Sequence, residues 1–176
     1  MTPLEKYQLD LQKTDFFADP AQASAVSHLD NLYHRILAPK PEPKLSFIQR
    51  YFKPNSTQAD IVPVKGLYFW GGVGRGKTYL VDTFYDCLPL ERKTRMHFHR
   101  FMHRVHHELK KLDGVENPLE HVADTFKQET DIICFDEFFV SDITDAMILG
   151  TLLEALFKRG ISLVATSNIP PLELYR

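Results

Sequence analysis

Gly71-Gly72-Val73-Gly74-Arg75-Gly76-Lys77-Thr78 fits the spacing G-x-x-x-x-G-K-[ST] at every fixed position. Glycines at that spacing let the backbone turn tightly, so that several N–H groups converge on one anion. A helix starting at the end of the loop adds unpaired N–H groups and the positive end of its dipole. Lys77 then reaches the β- and γ-phosphates of a nucleotide, and the Thr78 hydroxyl is a ligand for Mg²⁺. Gly71, Gly72, Val73, Gly74, Arg75, Gly76, Lys77, Thr78 and the following Tyr79 are therefore the expected nucleotide contacts.

A second constellation is Asp136-Glu137, which follows the apolar run Asp131-Ile132-Ile133-Cys134-Phe135. A buried strand running into an acid is the pattern in which the Asp holds Mg²⁺. Side chains alternate along a strand, so the next acid faces elsewhere. Glu137 is expected to polarise an attacking water as general base. Thr166-Ser167-Asn168 ends a further apolar run, and Asn168 is the expected contact to the γ-phosphate and the water, with Ser167 and Thr166 as substitutes. The catalytic set is thus Lys77, Glu137 and Asn168, and the metal set Thr78 and Asp136.

Five histidines, His97, His99, His103, His106 and His107, form a third group. His97 and His99 are expected on one strand face, and His103 and His107 at i, i+4 on a helix. That spacing suits zinc, but no cysteine or carboxylate pattern accompanies it, which favours packing and polar contacts. Arg92, Lys93, Arg95, Arg100 and Arg104 make this the most basic region, read as a solvated face or subunit contact.

These groups need a scaffold, and the hydrophobic pattern supplies one. Leu67–Trp70, 94–99, 131–135 and 161–166 read as strands, with helical spacing between them. Alternating strands and helices imply a parallel α/β sheet with right-handed crossovers. Asp19-Pro20, Asn117-Pro118 and Ser141-Asp142 are helix starts, and Gly160 is a stop. Residues 4–12 and 45–52 read as short helices, and 53–62 as a polar, mobile connector. The expected division is a helical N-terminal extension over 1–62 and a nucleotide-binding core over 63–176.

The whole chain is ordinary for a soluble globular protein, with 176 residues, 44% hydrophobic and 25% charged. A net charge of −2 argues against wrapping nucleic acid by bulk charge. Cys87 and Cys134 lie in apolar segments and read as reduced, buried thiols. No apolar run approaches the roughly 18 residues of a membrane span, and the first residues lack a secretory pattern.

Four runs then resemble one family in order: 66–78, 97–102, 134–147 and 165–171. They are similar to the ZapE family of cell-division ATPases, within the AAA+ superfamily, over about residues 20–176. The resemblance implies a cytoplasmic, Mg²⁺-dependent ATPase acting on the tubulin-like division protein FtsZ. It also implies a homo-oligomer with nucleotide at the subunit boundary. Residue by residue, Lys77, Thr78, Asp136, Glu137 and Asn168 match the loop lysine, the Mg²⁺ ligand, the metal-binding acid, the base and the first sensor. Family members continue past Arg176, where a fifth strand, an arginine finger and a helical lid with a second sensor are expected. A nucleotide-gated interaction module without turnover, and a nucleic-acid-associated ATPase, are the competing readings.

Overall fold

The computed structural model describes residues 1–39, 66–71 and 76–169. The helix expected within 45–52 and the connector at 53–62 lie outside the described residues. Helix α1 (Pro3–Asp10) starts in a capping box, with Thr2 and Glu5 bonding each other's backbone N–H. Helix α2 (Pro20–Leu37) starts at Asp19, whose carboxylate accepts from Ala21 and Gln22 N–H. Its buried stripe is Val26, Leu29, Leu32 and Tyr33.

Strands β1 (Leu67–Trp70), β2 (Lys93–His97), β3 (Ile132–Asp136) and β4 (Ser162–Ser167) form one sheet, in the order β1-β4-β3-β2. All three pairings are parallel. β4 lies between β1 and β3, as its expected contact with the γ-phosphate requires. The chain leaves β1 through α3 (Lys77–Cys87), crosses to the far edge at β2, and returns through β3 to β4. In open sheets of this kind, ligands bind at the carboxyl ends of the strands, where the strand order reverses.

Why β3 is apolar without a break is visible in its neighbours. Ile132 and Cys134 meet α1, α2 and α3 on one face, with Tyr7, Val26, Leu29, Leu32, Leu80 and Phe84. Ile133 and Phe135 meet α4 (Phe98–Lys111), α5 (Pro118–Glu129) and α6 (Ile143–Lys158) on the other. A strand covered on both faces cannot alternate apolar and polar residues. Gly66 enters β1 so close to β4 that an added Cβ would lie 1.7 Å from the Leu163 carbonyl oxygen. Only glycine permits that approach.

The second strand is shorter than its sequence suggests. β2 ends at His97 and α4 begins at Phe98, so His99 is helical and shares no strand face with His97. Phe98, Phe101, Met102 and Val105 are all buried. The apolar period therefore changes from 2 to 3.6 at Phe98, inside what looked like one alternating run. Cys134 is buried, and burial pushes its thiol up to about 12. Cys87 is free but only half-buried, so burial holds for one thiol of the two.

Asp10 ties α1 to α3. Its carboxylate is buried and accepts from Lys13 at 2.6 Å, from the Tyr79 hydroxyl at 2.7 Å, and from Lys6. Burial alone would raise its pKa, but the bonds from Lys13, Lys6 and Tyr79 outweigh it and hold the carboxyl well below the usual range. Burial, with the Asp10 bond, pushes Tyr79 up to about 12. A depressed folded-state pKa gives stability that is complete above the unfolded value of 3.8 and fades as pH falls below it. Asp10→Ala is expected to cost about 1–3 kcal/mol at neutral pH and to flatten that acid branch. Urea unfolding at pH 7 and through the acid range measures both.

Candidate functional site

Helix α3 opens at Gly76, in the left-handed region with φ 73° and no side-chain cap. A side chain there would be strained, and its Cβ would lie 2.6 Å from Gln22 Nε2 on α2. No acid occupies the first turn of α3. An uncapped helix start without a local acid is a ready anion site. Lys77 Nζ folds back and donates to the Gly71 carbonyl oxygen at 2.6 Å. Gly71 N–H in turn donates to Ser167 O at 3.2 Å, which fixes the start of the loop against β4. Gly72, Val73, Gly74 and Arg75 lie outside the described residues.

One cavity of about 640 Å³ collects six of the eight expected residues that are described: Gly76, Lys77, Thr78, Asp136, Glu137 and Asn168. Its size suits a nucleotide's phosphates and sugar. Tyr79 does not line it. The Tyr79 hydroxyl bonds Asp10, and its ring packs 5.1 Å from Phe16, so only its backbone N–H is available to a phosphate.

Asp136 and Glu137 face different partners, by a device other than strand alternation. Asp136 ends β3 with its side chain 16% exposed, against Arg95. Glu137 then takes φ 54°, the left-handed region, and its side chain is 77% exposed. Backbone strain of order 1–3 kcal/mol at a non-glycine residue is held only where the surroundings enforce it. Here Phe138 N–H donates to Thr166 O at 2.8 Å, and Ser167 Oγ donates to Phe138 O at 2.6 Å. The turn aims Glu137 at the cavity, with His97 Nδ1 3.7 Å from its carboxylate.

At the end of β4 the substitutes for Asn168 have other work. Thr166 and Ser167 are buried, and Ser167 Oγ also accepts from Ile169 N–H at 3.1 Å. The Tyr68 hydroxyl donates to Ile169 O at 2.7 Å, which pins the chain just beyond. Asn168 is exposed at the cavity wall.

Arg95 was expected only as part of the basic region, on a solvated face or subunit contact, but its side chain is 24% exposed and paired inside the fold. From β2 it lines the same cavity and donates to both Asp136 oxygens, at 2.8 and 3.1 Å, and to Asp82 on α3. The bond to Asp136, with that to Asp82, raises the guanidinium pKa above its already high value, so its charge is fixed. Strand alternation puts Lys93, Arg95 and His97 on one face, but only the β2–β3 register, with His97 opposite Asp136, brings the cation to the acid. The basic region is in part internally paired, Arg92 with Asp131 and Arg104 with Glu129. Among the histidines, His106 pairs with Asp145 on α6 at 2.6 Å. Among the described residues no group of three His, Cys, Asp or Glu is placed to hold a metal ion.

The family model described as AFG1-like ATPase matches residues 1–176. The chain belongs to that family. It is 56% identical over 180 residues to the cell division protein ZapE of Escherichia coli (strain K12), covering 100% of this chain and 48% of that one. The chain therefore spans about half the length of this curated AFG1-like relative. The fold is shared with DnaI, at TM-score 0.56 and 16% identity, over 95% of this chain and 78% of that one. It is shared also with AMPPCP-bound DnaA from Aquifex aeolicus, at TM-score 0.55 and 14% identity, over 91% and 42%. This AFG1-like chain thus shares the parallel α/β fold of DnaI and DnaA. Among the described residues no helix is long and apolar enough to cross a membrane.

Proposed function

We propose that the intact protein binds ATP with Mg²⁺ in the cavity between α3 and the ends of β3 and β4, hydrolyses it, and uses the turnover to remodel a division protein, FtsZ. The observation that carries this reading is the convergence of Lys77, Thr78, Asp136, Glu137 and Asn168, from three separate elements, on one cavity. The ATPase family supports the reaction class, the AMPPCP in the DnaA relative supports an adenine nucleotide, and the ZapE name supports the process. FtsZ as partner, the cytoplasmic setting and assembly into a ring rest on the resemblance.

The donors fit magnesium. The Thr78 hydroxyl and the Asp136 carboxylate are hard oxygen donors that line the same cavity. When bound, the ion would neutralise charge on the phosphate oxygens. The chain supplies the rest. Lys77 and the amides at the start of α3 hold the phosphates, Glu137 takes the proton of the attacking water, and Asn168 orients that water. A second hollow of about 400 Å³, lined by Gln22, Ala25, Phe69, Trp70 and Leu80 beside Gly71 and Lys77, would offer the adenine ring a largely apolar wall.

The test is phosphate release from ATP by the intact protein, with Mg²⁺ and with a chelator, combined with FtsZ sedimentation. Magnesium-dependent release and an ATP-dependent change in sedimentation are expected. Release without any effect on FtsZ removes the partner and keeps the ATPase. No release in any condition removes the enzymatic reading.

A further inference from the structure

The nucleotide reading leaves one cation of the cavity without a task. Arg95 reaches two elements at once. Nε and Nη2 bond the two oxygens of Asp136 at the end of β3, while Nη1 bonds Asp82. Asp82 lies four residues after Thr78 on α3, so it shares Thr78's side of the helix. The guanidinium therefore joins the helix that carries Lys77 and Thr78 to the strand end that carries Asp136 and Glu137. Its three nitrogens are held in a rigid plane, which fixes distances that a flexible ammonium would not. The Arg95 side chain is 24% exposed and that of Asp136 is 16% exposed, so solvent screens the Arg95–Asp136 arm less than the arm to the more exposed Asp82.

We propose that Arg95 is a positioning residue: a brace from Asp82 to Asp136 that sets the separation of Thr78 and Asp136 for Mg²⁺-nucleotide binding. The inference rests on the nucleotide site proposed above. Magnesium demands near-ideal octahedral geometry at about 2.0–2.1 Å, so a small drift of α3 against β3 spoils it. The brace need not leave when the metal arrives. An ionised carboxylate has about four acceptor positions, and the arginine fork uses two, which leaves the others for a metal-bound water.

A brace and a simple counter-ion give opposite signatures. Losing Arg95 makes the site more negative by one charge, and losing Asp82 makes it less negative by one. If charge alone matters, the two losses move Mg²⁺ affinity in opposite directions. If the brace matters, both weaken it.

The experiment is calorimetric titration of a non-hydrolysable ATP analogue into the intact protein, with Mg²⁺ and with a chelator. The variants are Arg95→Ala, Arg95→Lys, Asp82→Ala and the Arg95→Ala/Asp82→Ala double. The affinity gained from Mg²⁺ is expected to fall about tenfold in both alanine variants, the scale of losses behind a metal ligand. Arg95→Lys restores part of it. The double variant is no worse than Arg95→Ala, because both changes cut the same connection. Affinity in chelator stays within about threefold throughout, a selectivity that general loosening of the fold would not produce.

Opposite signs for Arg95→Ala and Asp82→Ala, or an undiminished Mg²⁺ gain in both, overturn the brace while the wild-type result keeps the nucleotide site. Wild-type protein that gains nothing from Mg²⁺ overturns both together. If Arg95→Ala does not fold, Asp82→Ala decides: its side chain is 49% exposed, and an unchanged Mg²⁺ gain there overturns the brace.

Discussion

Glu137→Gln in the intact protein is expected to slow ATP turnover by about 10²–10⁴-fold, the contribution of a positioned general base, while ATP still binds. Glutamine keeps the size of the side chain and can still accept a hydrogen bond from water, but it cannot take a proton at neutral pH. The backbone should tolerate the change, because glutamate and glutamine meet the same strain at φ 54° and the flanking bonds from Phe138 N–H to Thr166 and from Ser167 to Phe138 do not involve the side chain. Single-turnover hydrolysis measured beside equilibrium binding separates the two effects. ATP that is bound but not cleaved is the expected outcome. Turnover within about threefold of wild type would show that the proton goes elsewhere, and His97, 3.7 Å from the Glu137 carboxylate, would be the first group to examine.

Local chemistry made some of this molecule readable and long-range chemistry hid the rest. Asp19 and Asp142 mark helix starts because their side chains cap the turns beside them, and Pro118 marks one because its fixed φ suits the first helical position, although Asn117 before it makes no side-chain cap bond. β3 and the acid at its end are readable because burial on both faces leaves no polar position in Ile132–Phe135. The start of α4 was not readable. His97-Phe98-His99 alternates like a strand, and only the packing of Phe98 4.3 Å from the Phe138 ring, a partner 40 residues away in sequence, shows that the helix has begun. The same holds for Arg95 with Asp136 and for Asp10 with Tyr79. Each pair depends on a register or a helix docking that no window of sequence contains. The turn at Glu137 belongs here too: alternation leads to the expectation that the two acids face apart, but their separation is made by a left-handed residue beyond the strand, held from β4.

The second large effect concerns affinity and not rate. Lys77→Ala is expected to weaken ATP binding by about 2–5 kcal/mol, the cost of removing one member of a desolvated, hydrogen-bonded charge pair. That corresponds to roughly 30- to 5,000-fold in Kd. The ammonium donates to Gly71 O at 2.6 Å, which places the lysine at the mouth of the loop. Arginine should not replace it well. Its planar fork is wider than the ammonium point charge that a phosphate in a close glycine loop requires. The Lys77→Ala fold should survive, since the residue heads α3 while the buried side chains that anchor the helix, Leu80, Val81 and Phe84, come later. Calorimetry with a non-hydrolysable analogue gives the affinity, and thermal unfolding in its absence gives the control. An affinity within about threefold of wild type in a folded Lys77→Ala protein would mean that the phosphates are held by the backbone alone, and would move the nucleotide's charge recognition away from the head of α3.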